Sequence, residues 1–236
     1  MEEQLGNSLV PYRPSVYLAC KTSKRDRACA EADMRNSMKL LHTEHFDVYQ
    51  LHGISSMDDV DRAFGPGGVM ELMRYLKQKG IAAHTGFTAH SEDAALRMTE
   101  LYDFDTVLFP FNWFMHMEHG MGARLLKAAR ARGMGLLCMK AFIERRWDSD
   151  TERAASPFPK SWCKPIDIEE DAFGLAAMRY SLALGVDTLS PPGNFDSFRF
   201  AVEHADLCLR VPFSEKDKAL LEEKLAGVRG KEFFAL

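Results

Sequence analysis

Six short apolar runs in this sequence each end in side chains that can do chemistry. Val16–Cys20 leads into Lys21-Thr22, Phe46–Leu51 into His52, and Ile81–Phe87 into Thr88 with His90 just beyond. Thr106–Phe109 leads to Asn112, Gly135–Met139 into Lys140, and Val186–Leu189 into Ser190. One polar group at the end of a strand is usually just solvated. A set of cations, imidazoles, hydroxyls and an amide ending successive strands reads instead as one rim where a substrate is bound and activated. Metal-assisted hydrolysis is a chemistry to weigh, given His42, His45, His52, His84, His90, His116 and His119. Their spacings match no zinc signature, and His42 and His45 stand before a strand, at the end opposite the rim, so no metal is expected.

A parallel sheet is what would position such a rim. The runs are rich in β-formers and leave room for a helix between each pair, the pattern of βαβ units. Val69, Leu72, Met73 and Leu76 recur at helical spacing before Gly80, as Leu125, Leu126 and Ala129 do before Gly133. Ser91 followed by Glu92 and Asp93 reads as an N-cap with acids in the first turn, and Ser214-x-x-Asp217 opens a last helix with Leu220, Leu221 and Leu225 inward. The sequence therefore predicts an α/β fold, a TIM-type (β/α) barrel with catalytic groups at the C-terminal ends of its strands, incomplete at about six strands of eight. Ala141–Asp167, with Pro157, Pro159 and Pro165, reads as one long irregular loop, a kind that is usually functional.

Composition narrows the partners. The 236 residues are 46% apolar and 27% charged, enough for one large domain with a buried core. A net charge of −4 gives no field that would recruit nucleic acid or an anionic membrane. The apolar run Phe104–Phe114 is interrupted by Asp105, Pro110 and Asn112, so no membrane span is expected. Met-Glu-Glu-Gln-Leu-Gly lacks the regions of a signal peptide, and Cys20, Cys29, Cys138, Cys163 and Cys208 form no C-x-x-C pair. A cytoplasmic protein with reduced thiols is expected.

The flanks of the runs carry a resemblance. Val-Tyr-Leu-Ala-Cys-Lys-Thr (16–22), Asp-Val-Tyr-Gln-Leu-His-Gly (47–53), Gly-Phe-Thr-Ala-His-Ser (86–91), Phe-Pro-Phe-Asn (109–112), Met-Lys-Ala-Phe (139–142) and Ser-Pro-Pro-Gly (190–193) follow the order found in the aldo-keto reductase family. The sequence resembles that family from its first residues to about Leu207, and is most similar to the branch that reads Met-Lys after its seventh strand. Some members of that branch carry a cysteine-rich iron–sulfur tail; this chain ends Lys-Glu-Phe-Phe-Ala-Leu, and none is expected.

The resemblance implies hydride transfer from NADPH to a small aldehyde or ketone while a tyrosine protonates the carbonyl oxygen. A lysine paired with an aspartate lowers the tyrosine's pKa, and a histidine orients the carbonyl. A phenol with a pKa of about 10 needs such a cation to act at neutral pH. By motif match Lys21 takes the lysine role and His52 the histidine role; the plainer readings are a lysine reaching solvent and a satisfied rim histidine. Thr88 and Asn112 fall where the family holds the nicotinamide, although Ala89 replaces the asparagine of a common Ser-Asn pair. Lys140 and Arg145-Arg146 fall at the pyrophosphate, the arginines being equally readable as a solvated basic turn. Gly193, Asn194, Arg199 and Glu203 align with the grip on the adenosine end, where an arginine suits a 2′-phosphate, and Ser190 is counted with them.

The same resemblance places the family's aspartate and tyrosine just before a helix start that Glu2-Glu3-Gln4-Leu5-Gly6 matches, so both would precede Met1, along with a first strand, first helix and second strand. Residues 1–236 then form a single barrel domain, with 1–14 the remnant of a second helix and its connection, 141–167 a loop over the cofactor face, and 214–236 a C-terminal helix and tail. Tyr12 and Tyr49 are poor substitutes: the first lies in a connection, and the second alternates away from the side of Gln50 and His52. Opening a barrel leaves two strand edges, which a second copy of the chain could cover. Weak turnover with surviving NADPH binding is expected. The alternative is a non-catalytic nucleotide-binding or regulatory protein, as potassium-channel β-subunits resemble this family.

Overall fold

A computed structural model describes residues 2–190 and 193–233. Pro191 and Pro192 of the Ser-Pro-Pro-Gly motif and the tail beyond residue 233 lie outside the described residues. In chain order the elements are α1 (Glu2–Leu9), a 3-10 turn (Val10–Ser15), β1 (Ala19–Thr22), α2 (Arg27–Leu40), β2 (Phe46–Ile54), α3 (Met57–Phe64), α4 (Val69–Gln78), β3 (Ala82–Ala89), α5 (Glu92–Leu101) and β4 (Thr106–Phe109). They continue with α6 (Trp113–His119), α7 (Ala123–Ala131), β5 (Gly135–Met139), β6 (Ile143–Arg145), α8 (Asp150–Ala155), β7 (Lys164–Pro165), α9 (Asp171–Ala183), β8 (Thr188–Ser190), α10 (Phe195–Arg210) and α11 (Glu215–Val228). The chain divides into two compact units, one running to Leu108 and taking in Ala128–Gly135, the other made of Phe109–Lys127 and everything from Leu136.

In the first unit β1 pairs with β2, β2 with β3 and β3 with β4, all parallel. In the second, β5 pairs in parallel with β8, and β6 and β7 form a short antiparallel pair. Six parallel strands alternating with helices make the fold class α/β, that of an incomplete TIM-type barrel, as the spacing of the runs predicts.

An aspartate at the start of a strand recurs as the device that fixes register. Asp47 Oδ2 accepts from the backbone N–H of Leu18 at 2.7 Å, Asp105 Oδ2 from that of Thr85 at 2.8 Å, and Asp187 Oδ2 from that of Leu136 at 2.7 Å. Each carboxylate satisfies a donor that the neighbouring strand would otherwise leave unpaired. This is why β1 begins at Ala19 and not at Val16: Leu18 gives its N–H to Asp47, and Val16 and Tyr17 are exposed. Helix starts follow the capping residues. Ser91 accepts from the Ala94 N–H, and Ser214 and Asp217 complete a capping box.

One expectation is corrected. Ala141–Asp167 is not a single irregular loop but contains β6, α8 and β7. Ser149 caps α8 through the Glu152 N–H, while the Glu152 side chain holds the buried Arg145 at 2.6 Å. The prolines permit this because they fall outside the helix, where no intrahelical donor is lost.

Candidate active site

Within the first unit, Lys21 on β1 and Gln50 on β2 are register partners, as are Gln50 and Gly86 on β3, and Gly86 and Thr106 on β4. Gln50 Nε2 reaches across Gly86 to Thr106 Oγ1 at 3.4 Å. A Cβ on Gly86 would overlap Thr106 Oγ1, so the glycine is required for that crossing. His52 lies two residues beyond Gln50 on the same strand, on the face that Lys21 shares. Both side chains are exposed.

His52 stands in a bulge. Leu51 pairs with Phe87, but Ile54 pairs with Ala89, so β2 carries one extra residue at His52-Gly53, and Gly53 adopts φ +69°. Bulges of this kind re-aim a side chain, and the positive φ is why glycine follows the histidine. Three groups hold it. The Gly53 N–H donates to Thr88 Oγ1 at 2.7 Å, and the His90 N–H donates to the Ile54 carbonyl at 3.0 Å. Arg25, buried, donates through Nη2 to the carbonyls of His52 at 2.9 Å and Gly53 at 3.1 Å, and through Nε to Asp59 at 2.9 Å. Although His52 is exposed, the protein around its ring partly desolvates it; this first, then the charges of Lys21 and Arg25, holds the imidazole below its ordinary pKa, so the neutral ring is favoured.

Tyr49 faces the other way. It is buried against Phe46, with ring centroids 5.3 Å apart, and its hydroxyl has no hydrogen-bond partner among the described residues. Burial first, then the nearby Cys20 and Asp33, push its phenol well above the ordinary value. That is the opposite of what acid–base work at neutral pH requires.

The second unit holds the other predicted residues. Asn112 is fully buried, with Oδ1 accepting from the Met115 N–H at the start of α6 and Nδ2 donating to the Lys140 carbonyl, each at 2.9 Å. Both ends of its amide therefore serve the fold. Lys140 is the half-buried end of β5, has φ +65°, and places Nζ 6.0 Å from the centroid of the Phe233 ring; burial lowers its pKa. A positive φ on a lysine is unusual, and such residues concentrate at functional sites. Arg145 is committed to Glu152 and Asp148, and Arg146 to Glu232 at 2.6 Å. The basic turn is thus paired within the protein.

Ser190 is exposed at the end of β8. Asn194 caps α10 by accepting from the Ser197 N–H at 2.8 Å, and Gly193 just before it faces open space. Arg199 and Glu203 are exposed one and two turns along that helix, Arg199 lying 3.7 Å from Asp196. Lys21, His52 and Thr88 are therefore gathered in one unit, and Asn112, Lys140, Ser190, Gly193, Asn194, Arg199 and Glu203 in the other. Sequence reasoning missed Arg25 and Asp59. The signal was weak, since Lys21-Thr-Ser-Lys-Arg25 reads as a solvated basic run and Asp59 as an ordinary helix-start acid.

Among the described residues no group of three or more His, Cys, Asp or Glu could hold a metal ion, and no helix is long and apolar enough to cross a membrane. All five cysteines are free.

The chain is similar in structure to several solved proteins. It superposes on aldo-keto reductase AKR11C1 from Bacillus halodurans in its holo form with a TM-score of 0.65 and 14% identity, covering 94% of this chain and 77% of that one. For aldose reductase from Giardia lamblia the values are 0.66 and 12%, covering 98% and 82%. For a Bombyx mori aldo-keto reductase in complex with NADP they are 0.64 and 15%, covering 94% and 74%. At these identities the likeness speaks to the fold alone. No curated protein matches the sequence. Residues 1–164, more than half the chain, match the model of the aldo/keto reductase family, and the chain belongs to that family.

Proposed function

We propose that this protein is an NADPH-type aldo-keto reductase whose chemistry is reduction of a small aldehyde or ketone. Membership of the family supports an oxidoreductase; the finer reading rests on one observation. Lys21 and His52 share a face of adjacent parallel strands, and the bulge that aims His52 is held by Arg25 and Thr88. His52, kept neutral by its surroundings, can donate one hydrogen bond to a carbonyl oxygen and orient it. Lys21 supplies the positive charge that a developing oxyanion needs.

Nicotinamide cofactor, when bound, supplies the hydride. The residues fit it best at the adenosine end. Gly193 faces open space beside the capped start of α10, and Arg199 is exposed with a long ion pair of 3.7 Å to Asp196, which leaves its guanidinium able to fork onto a phosphate. Lys140 is the candidate for the pyrophosphate by its place just after β5 and its left-handed backbone, while Arg145 and Arg146 are engaged by Glu152 and Glu232. Ser190 and Glu203, in the same unit, complete that grip, whereas Thr88 and Asn112 are buried and give their polar atoms to the fold. The protein acts in the cytoplasm, a compartment that keeps its five thiols reduced, with no nucleic-acid or membrane partner.

The non-catalytic alternative is favoured by the placement of Tyr49. That phenol is on the wrong face and raised in pKa, while Tyr17, four residues before Lys21, is on the order of 13 Å of extended chain away. Turnover by this chain alone is therefore proposed to be weak. Fluorescence titration with NADPH separates the halves of the proposal: saturable binding that Arg199→Ala weakens supports the cofactor reading, and no change at millimolar cofactor overturns it. Carbonyl-dependent oxidation of NADPH at an ordinary enzymatic rate by this chain alone would overturn the weak-turnover reading.

A further inference from the structure

Helix α10 is apolar on two faces, and only one of them is covered within the second unit. Ser197, Phe200 and Cys208 are buried, with Phe200 packed against Gly174 of α9 so closely that a Cβ there would overlap the ring. A second stripe, Phe195, Phe198, Val202, Ala205 and Leu209, repeats at spacings of three and four residues. Phe195 is 72% exposed, Phe198 50%, Val202 60% and Leu209 72%. Four large apolar side chains on one helical stripe are more than the scattered exposure of ordinary surfaces, and the spacing is that of a helix–helix seam.

The stripe is asymmetric along its length. Its N-terminal end projects two phenyl rings. Its C-terminal end borders a groove of about 300 Å³ whose wall is mainly apolar, with Met178, Leu182, Leu189, Ala205 and Leu209 beside the carboxylate-bearing Asp187. Projection and groove thus lie at opposite ends of one helix. Two copies laid antiparallel about Val202 would set Phe195 and Phe198 of each beside the groove of the other. The charges agree with that register. Arg199 and Asp206 flank the stripe on the side away from the groove, at nearly equal distances in sequence from Val202, so each meets the opposite charge on the other copy. Both already sit in exposed ion pairs of their own helix, Arg199 3.7 Å from Asp196 and Asp206 3.1 Å from Arg210, which the seam would exchange for partners on the other copy.

We propose that a second copy of this chain occupies the exposed face of α10, in a two-fold antiparallel helix pair centred on Val202. The pairing is isologous, since one self-complementary patch serves both copies. It does not rest on the chemistry proposed above, but both draw on Arg199: paired across the seam, that guanidinium is withheld from a cofactor phosphate, so NADPH should oppose association.

Sedimentation velocity of the intact protein at high micromolar concentration tests this. A species of twice 26.7 kDa is expected. Val202→Glu, on an exposed position, should give a monomer with unchanged circular dichroism and NADPH binding at least as tight as that of the wild type. Arg199→Glu places like charges opposite each other twice and should weaken association by about tenfold; Arg199→Glu with Asp206→Arg should restore it. A monomeric wild type, a dimer that survives Val202→Glu, or a double charge swap that fails to restore association would each overturn the proposal.

Discussion

Arg25 Nη2 donates a hydrogen bond to the backbone carbonyl of His52 at 2.9 Å, from a side chain 27 residues earlier in the sequence. The same nitrogen reaches the Gly53 carbonyl, and Nε is held by Asp59. A buried cation thus ties the end of β1 to the bulge in β2 from which the candidate catalytic histidine projects.

Removing that tie should loosen the bulge more than it unfolds the unit. Arg25→Ala leaves two carbonyls and the Asp59 carboxylate without their cation, an expected loss of about 2–3 kcal/mol. Arg25→Lys should recover only part of it, because an ammonium cannot fork to the carbonyls and the carboxylate at once. Chemical denaturation gives the stability change. The His52 ring resonances should broaden in Arg25→Ala and stay sharp in an equally destabilised variant elsewhere in the unit.

Two glycines on the same sheet should respond to alanine for different reasons. Gly53 has φ +69° and nothing within 4 Å of where a methyl group would stand, so Gly53→Ala meets only the left-handed backbone cost of about 1–2 kcal/mol. Gly86→Ala has ordinary backbone space but would drive a methyl into Thr106, and should also break the Gln50 to Thr106 crossing. Denaturant midpoints measure both. Thr106→Ser, which keeps the hydroxyl, should not rescue Gly86→Ala.

Much of this is readable from the sequence. The runs leading to Lys21, His52, Thr88 and Lys140 are strands, because β-formers bounded by capping serines and turn glycines leave little choice of element, although β2 continues past His52 to Ile54 through its bulge. What escapes is long-range. Arg25 looks solvated until the fold brings Asp59 and the His52 carbonyl to it. Arg145 likewise reads as a phosphate ligand until Glu152, seven residues on, closes on it from a helix that the surrounding prolines disguise. Side-chain partners of this kind depend on chain geometry that local propensity does not encode.

The lowered pKa of His52 carries a sign for stability. Its folded-state value lies below the unfolded one, so between the two the unfolded chain binds more protons, and stability rises with pH. The contribution is present above the unfolded pKa and is lost as pH falls through the folded one. Titrating the His52 ring by NMR should give a midpoint below the usual histidine range, and Lys21→Met should move it upward by removing a neighbouring positive charge.

Asp105 should act with the same sign in a more acidic window, and for a different reason: its charged form is the favoured one. Burial works to raise its pKa, but the Lys77 ammonium at 2.6 Å, the Thr85 N–H at 2.8 Å and the Thr85 hydroxyl outweigh it, and the carboxyl is held below its ordinary value. Such a group stabilises the fold above the unfolded pKa, and that stability is lost as pH falls through the folded one. Asp105→Asn keeps the shape and one acceptor but loses the charge. Because the pair with Lys77 is part-exposed, about 1–2 kcal/mol is expected at pH 7. The variant's stability should vary less than the wild type's between about pH 5 and pH 3, converging on it at the acid end. Equal slopes over that range would show that the carboxylate does not carry the acid sensitivity assigned to it.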